Sequence, residues 1–203
     1  MGSTLTVDNI KDSGDNTLVS STGSGHTIAS GVTNNAGVAS GVIDSAVTGY
    51  TGIKAFQQFR LTTGKNTITS ESDVTANIAE VSGGLNSNIT QSSGIFSFAL
   101  TGIYWIMWNF NTSYDNQTRY AYAWINATTN GSSYSHVARG AIGRFDPGGS
   151  DVHSSGTVNY LFNVTDTSQC KIKFSCQSEA ACNYLGNSSY NSNYWTFLRI
   201  GDS

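Results

Sequence analysis

The sequence predicts an all-β protein, a jelly-roll β-sandwich preceded by an extended N-terminal arm. The first observation is that Phe, Trp and Tyr are absent before Tyr50 and frequent after it. The second is that short later segments alternate apolar and polar residues with a period of two, which is typical of half-buried strands. The third is the near absence of a helical period, together with a single proline, Pro147. This combination favours a sandwich of short strands.

Residues 1–50 form the predicted arm, and residues 51–203 form the predicted head domain. The first 49 residues are a mixture of Gly, Ser, Thr, Asn and Val. They lack the aromatic side chains that each bury roughly 150–250 Å² in a core. We therefore expect the arm not to fold alone. A segment of this kind stays flexible or pairs as short strands with a neighbouring subunit or scaffold.

The head begins with a predicted strand at KAFQQFRL, residues 54–61, and a second apolar pair follows at Ile78 and Val81. The densest apolar segment is IFSFALTGIYWIMWNF, residues 95–110, which a turn at Thr101 and Gly102 divides into two strands. Alternation predicts that one set of side chains points inward: Phe96, Phe98, Leu100, Tyr104, Ile106, Trp108 and Phe110.

A hairpin is predicted over residues 119–142, with its turn at Asn130 and Gly131. The expected cross-strand sets are Tyr120, Tyr122 and Trp124 on one strand and Tyr134, His136 and Ala138 on the other. Further strands are predicted at TVNYLFNVT, at KIKFSC and at the closing YWTFLRI. About eight strands in all indicate a jelly roll.

The strand after Gly102 is apolar on both faces, because Ile103, Trp105 and Met107 alternate with the inward set. Both faces of such a strand have to be covered by other protein surfaces. One interpretation is an ordinary sandwich core. The other is a subunit interface, where Trp and Met are enriched.

The three cysteines, Cys170, Cys176 and Cys182, have neither a zinc-site spacing nor a C-x-x-C motif. In CKIKFSC, Cys170 and Cys176 share the parity of Ile172 and Phe174, which predicts small apolar core residues. A Cys176–Cys182 disulfide is left open.

Few features of the sequence indicate a catalytic or metal site, so we expect no enzyme activity and no cofactor. His26, His136 and His153 belong to no catalytic or zinc motif. Asp146 and Asp151 flank a Pro-Gly-Gly turn, where a surface turn is favoured over a calcium site.

The charge pattern limits the partners of the protein. A net charge of -3 with 11% charged residues lacks the basic stripe of nucleic-acid binders. No run of about 18 apolar residues is present, so we expect no membrane insertion.

The segment FSFALTGIYWIMWNF resembles the C1q-like branch of the tumour-necrosis-factor jelly roll, with Gly102 and Tyr104 matching its G-x-Y. The closing YWTFLRIG is similar to the last strand of that family, and the resemblance covers roughly residues 54–201. It implies a compact homotrimer wound around a threefold axis. The expected trimer interface comprises Ile103, Trp105, Met107, Trp195 and Phe197.

The arm has a resemblance of its own, since STLTVDNIKDSGDNTLV is similar to the opening of many virion appendage proteins of marine tailed phages. The matching residues are Leu5, Val7, Asp8 and Ile10. This resemblance implies a protein of the virion surface, a head fibre, decoration protein or short tail fibre, whose arm docks to other virion proteins. A cellular C1q-like lectin or adhesin is the alternative.

Aromatic and amide residues in the predicted loops suggest weak binding of a host-surface glycan. Exposed Tyr rings stack on sugar faces, while Asn and Asp side chains bond the sugar hydroxyls. The candidate contacts are Tyr114, Asp115, Asn116, Tyr184, Tyr190 and Asn191.

Overall fold

The computed structural model describes residues 9–11, 13–21, 26–28, 53, 55–85, 88–114, 118–144 and 152–202. Internal contacts divide the chain into two units, Met1–Tyr50 and Thr51–Ser203. All the regular secondary structure within the described ranges consists of β-strands. The predicted all-β class is thereby confirmed.

The first unit contains a small antiparallel sheet of β1 (Asn9–Lys11), β2 (Thr17–Ser21) and β3 (His26–Ile28), in that order. At the first turn, Asp15 has a left-handed φ of 65°, and Lys11 Nζ lies 3.0 Å from Asp15 Oδ1. The described arm residues therefore pair with one another, where an extended segment was expected. A hairpin needs only backbone hydrogen bonds and turn residues, and the first strand buries no side chain, since Asn9, Ile10 and Lys11 are all exposed.

The second unit contains the remaining strands. They are β4 (Ala55–Leu61), β5 (Lys65–Ile68), β6 (Ser72–Asp73), β7 (Ile78–Leu85), β8 (Ile89–Ser92), β9 (Ile95–Phe98), β10 (Gly102–Tyr114), β11 (Thr118–Thr128), β12 (Ser135–Arg144), β13 (Val152–Val164), β14 (Lys171–Ser178), β15 (Cys182–Tyr184) and β16 (Tyr194–Gly201).

Sheet one is organised around β10. Along one edge β10 pairs with β13 from Gly102 to Tyr114, and along the other it pairs with β16 and, near its end, with β15. Beyond β16 lie β4 and then β7, and β15 continues to β5. All these pairings are antiparallel.

Sheet two has the order β12-β11-β14-β9-β8, and the short β6 pairs with β14. The β8–β9 hairpin turns at Ser93 and Gly94, which have φ values of 49° and 78°. A Cβ on Gly94 would lie 2.0 Å from the carbonyl oxygen of Val74, so the residue there has to be glycine.

The predicted hairpin of β11 and β12 is confirmed, but its register differs from the expected one. Trp124 lies opposite Arg139, because the register shifts between Ile125 and Asn126 and the connection between the strands is longer than a tight turn. Arg139 thereby joins the outward-facing residues beside Trp124.

The core lies between the two sheets, and its centre is aromatic. The Phe96 ring lies 5.0–6.0 Å from four other rings, those of Phe59, Phe174, Trp195 and Phe197. The predicted inward residues of β9 and β10 are confirmed as buried, with one exception. Leu100 is exposed, because β9 ends at Phe98 and the chain turns before β10 begins.

All three cysteines are buried and free. The prediction of small core residues is confirmed, and the Cys176–Cys182 disulfide left open by the sequence is absent. Burial raises the pKa of Cys176 to about 12 and that of Cys182 to about 11, so both stay protonated thiols.

Candidate functional site

The outward face of β10 is apolar at the start of the strand and is partly exposed. Tyr104 and Ile106 point into the core and are fully buried. The alternate residues Ile103, Trp105 and Met107 therefore point to the other side, where Trp105 is 36% exposed. Their own subunit covers only part of these three side chains.

The strand register aligns one outward residue from each of five strands into a continuous row. Trp105 pairs with Leu161 on β13 and with Leu198 on β16. Leu198 pairs with Phe56 on β4, which pairs with Leu85 on β7. We call these five residues the apolar row. Since neighbouring strands lie about 4.8 Å apart, the row spans about 19 Å.

Three of the five side chains in the apolar row are exposed, and Phe56 and Leu198 are half-buried. Leu161 is 58% exposed and Leu85 is 47% exposed. Contiguous exposed apolar surface of this kind marks interaction sites in soluble proteins. Each Å² removed from water contributes roughly 25 cal/mol, which favours covering the row with another protein surface.

The same face becomes polar toward the other end of the strands. Asn109 lies opposite Thr157 on one side and Tyr194 on the other, and Thr157 Oγ1 donates a hydrogen bond of 2.7 Å to Asn109 Oδ1. A depression of about 300 Å³ lies here, lined by Asn109, Phe110, Asn111, Ser155, Gly156, Thr157, Ser192 and Tyr194. This face of sheet one is therefore apolar at one end of the strands and polar at the other.

Two residues of the expected trimer interface lie elsewhere. Trp195 and Phe197 are fully buried between the sheets, 6.0 and 5.0 Å from the Phe96 ring, so their own subunit already covers them. This corrects their assignment to the interface. On β16 the outward position of the apolar row is held by Leu198.

Sequence reasoning missed four residues of the row because the row follows from register across strands: Phe56, Leu85, Leu161 and Leu198. The alternation in TVNYLFNVT places Leu161 on the face opposite Phe162. The outward position of Leu161 could therefore be predicted from the sequence. The identity of the residue that lies beside Trp105 could not.

The expected glycan contacts are not brought together. Tyr114 and Tyr184 are buried in the core, and the Tyr184 hydroxyl donates to the carbonyls of Tyr122 and Gln177 at 2.6 and 3.2 Å. The assignment of these two tyrosines as glycan contacts is wrong, because a buried ring has no face accessible to a sugar. Tyr190 is 64% exposed and Asn191 is half-buried.

Several other residues named from the sequence lie outside the described residues. They are Leu5, Val7 and Asp8 of the arm, the loop residues Asp115 and Asn116, and Asp146 and Asp151. Ile10 is described and is 50% exposed.

The described carboxylates of the head are mostly tied in ion pairs. Glu179 pairs with Arg119, and Asp73 lies 2.7 Å from Lys173 Nζ. Within the described ranges, no three His, Cys, Asp or Glu side chains are grouped to hold a metal ion. The same ranges contain no helix long and apolar enough to cross a membrane.

No protein-family model matches the chain, and no curated protein matches it.

Among solved structures, Eiger TNF from S. frugiperda has a TM-score of 0.53 at 11% identity, over 73% of this chain and 93% of that one. Murine APRIL has a TM-score of 0.52 at 10% identity, over 72% and 98%. PRD1 vertex protein P5 overlaps less closely, with a TM-score of 0.48 at 17% identity over 74% and 99%. The head thus has the C1q/TNF-like jelly-roll fold.

Proposed function

We propose that this protein is a non-enzymatic, homotrimeric surface protein of a virus particle, with an arm that docks to the particle and a head that is displayed outward. The apolar row carries the first part of the proposal. Its exposed side chains need a cover, and a second copy of the same face supplies one of matching chemistry.

The position of the row on sheet one favours self-association. It crosses five strands, including the central β10 and β16, so a partner contacts a rigid surface. Interfaces of standard size bury about 800 Å² per partner. The row and the half-buried Ile103 and Met107 beside Trp105 form an apolar centre for such an interface. The threefold symmetry is what the sequence resemblance to the C1q-like jelly roll implies.

The arm supports the location on a virion. Leu5, Val7, Asp8 and Ile10 match the opening of marine phage appendage proteins. The described arm strands expose Ile10 at 50%. A segment without aromatic side chains is suited to docking on a larger structure. Tyr190 and Asn191 stay proposed contacts for a host-surface glycan.

Sedimentation equilibrium of the full chain tests the assembly. We expect a mass three times the 21.5 kDa of one chain at micromolar concentration. A folded monomer at that concentration would contradict the trimer.

Electron microscopy of particles labelled with antibodies against the head tests the location. We expect regularly placed label on the particle surface. Unlabelled particles in a preparation whose lysate contains the protein would contradict the virion assignment and leave the trimer standing.

A further inference from the structure

The outer face of sheet two carries three large aromatic side chains on one strand. Tyr120, Tyr122 and Trp124 alternate with the buried Ala121 and Ala123, so they point away from the core. We call these three residues the aromatic ladder. The solvent-facing side of an antiparallel sheet is ordinarily polar, and core packing does not explain aromatic residues there.

The rings of the aromatic ladder pack on one another. The Tyr120 and Tyr122 rings stack with centroids 4.4 Å apart and planes 12° apart. The Trp124 ring meets the Tyr122 ring at 5.9 Å and 78°. Ring pairs of these geometries are mutually stabilising, so the ladder is held in place without a ligand.

Arg139 lies over this ladder from the neighbouring strand. Its guanidinium carbon is 4.5 Å from the centroid of Tyr122 and 5.2 Å from that of Trp124. Both distances are within the range of a cation–π contact. The side chain is nevertheless exposed.

The charge of Arg139 is not matched by a carboxylate among the described residues. Arg119 pairs with Glu179 and Arg199 pairs with Asp202, whereas within the described part of the chain the side-chain contacts of Arg139 are those with the Tyr122 and Trp124 rings. A guanidinium that rests on ring faces keeps the N–H groups of its plane available. Those groups form a fork that fits a carboxylate.

The far end of the ladder is anchored by a polar network. The His136 ring stacks on Trp124 at 4.2 Å, and its Nε2 lies 2.9 Å from Glu71 Oε1. Ser175 Oγ donates to the same oxygen at 2.8 Å and accepts a hydrogen bond from Asn126 at 2.9 Å. The Oε1 atom of Glu71 thus already has two hydrogen-bonding partners within the protein.

We propose that the outer face of sheet two binds acidic saccharides, with Arg139 recognising the carboxylate of a uronic-acid ring and the aromatic ladder supporting the sugar beside it. Charge complementarity favours an anionic ligand, because Arg139 has no carboxylate partner among the residues that the structure describes. The net charge of the whole protein is -3. Non-specific attraction of polyanions is therefore weak, and binding depends on the local site.

The site is independent of the proposed trimer. The ladder is on sheet two, and the apolar row is on sheet one of the same sandwich. Loss of saccharide binding and loss of trimerisation are therefore separate outcomes. The site also differs from the proposed loop contacts at Tyr190 and Asn191.

Calorimetric titration of the full chain with trigalacturonic acid tests the proposal, and neutral galactotriose is the control ligand. We expect binding of the acidic trisaccharide with a Kd near about 1 mM and no heat from the neutral one. Arg139→Gln should weaken binding by about 10- to 100-fold, the effect of losing one charge-assisted contact. Arg139→Lys keeps the charge but loses the fork, so its affinity should lie between those of the parent protein and R139Q.

Arg119→Gln is the matched control, because it removes one exposed positive charge from β11, the strand that carries the aromatic ladder. It should bind like the parent protein, and both variants should keep the parent circular dichroism spectrum and sedimentation mass. Equal binding of the two trisaccharides, equal losses in both variants, or no binding at about 10 mM ligand would overturn the proposal.

Discussion

The indole Nε1 of Trp108 donates a hydrogen bond of 3.2 Å to the side-chain oxygen of Asn193, and both residues are buried. The Asn193 amide nitrogen donates to the carbonyls of Asn111 and Leu185, each at 2.7 Å. The backbone oxygen of Asn193 accepts from Leu61 N at 2.9 Å. The side-chain amide of Asn193 therefore joins β10 to the residue that follows β15, and its backbone oxygen joins the segment before β16 to β4.

Asn193→Leu should lower the free energy of unfolding by about 2–4 kcal/mol. The substitution leaves the Trp108 N–H and two carbonyls buried without this partner, and each such group costs about 1–3 kcal/mol, offset in part by relaxation. Chemical denaturation measures the change. Asn191→Ala, two residues away and half-buried, is the control and should stay within about 0.5 kcal/mol of the parent. Equal stability of N193L and the parent would refute the role of this amide.

Trp105→Asp should dissociate the proposed trimer. The carboxylate would be placed within the apolar row, between Leu161 and Leu198, where an unpaired buried charge costs about 3–5 kcal/mol. This weakens association by about 100-fold or more. Sedimentation should show a folded monomer, and Leu161→Asp should act in the same direction.

Ile95→Asp is the matched control for the interface variants. Ile95 is 39% exposed, close to the 36% of Trp105, but it lies on β9 in the other sheet. We expect its sedimentation mass to equal that of the parent. Dissociation by I95D, or persistence of the trimer in both W105D and L161D, would place the interface elsewhere.

Acid should remove the contribution of Glu71 to stability. Burial raises the pKa of this carboxyl, but hydrogen bonds from Ser175 and His136 and nearby positive charges outweigh burial and lower the pKa. A lowered folded-state pKa stabilises the protein above the unfolded pKa of about 4.3, and this stabilisation is lost as the pH falls through the folded value.

The comparison of parent protein with Glu71→Gln at pH 7 and near pH 3 measures this effect. We expect E71Q to be less stable than the parent at pH 7, by less than about 1 kcal/mol because solvent screens the site. The difference should shrink toward pH 3. A difference that grows on acidification would mean that the pKa is raised.

The cysteines should be unreactive in the folded protein. With the pKa of Cys176 at about 12 and that of Cys182 at about 11, the thiolate fraction near pH 8 is very small, and all three side chains are buried. A thiol reagent should label none of them at pH 8 in native buffer and all three in denaturant. Rapid native labelling of a single cysteine would identify a local opening of the fold.

Much of the fold could be predicted because strand alternation is a local property. Tyr104, Ile106 and Trp108 are buried as their spacing predicts, and Cys170 and Cys176 are core residues. The predicted turn at Asn130 and Gly131 lies between two strands, with a left-handed φ of 75° at Gly131. Each of these features depends on residues near one another in sequence.

The site was harder to predict because burial depends on which face a neighbouring sheet covers. Trp195 and Phe197 resembled interface residues in sequence, yet their parity on β16 directs them into the sandwich. Tyr114 and Tyr184 resembled loop aromatics, yet both are core residues at strand ends.

The sequence alone determined the class of fold, the inward faces of β9, β10 and β14, and the contrast between an aromatic-free arm and an aromatic-rich head. Only the tertiary structure decided which outward residues become neighbours. The apolar row joins five strands through Phe56, Leu85, Trp105, Leu161 and Leu198, and Arg139 reaches Trp124 through a shifted hairpin register. The physical reason is that cross-strand register is set by pairings between segments far apart in the chain, which no local pattern encodes.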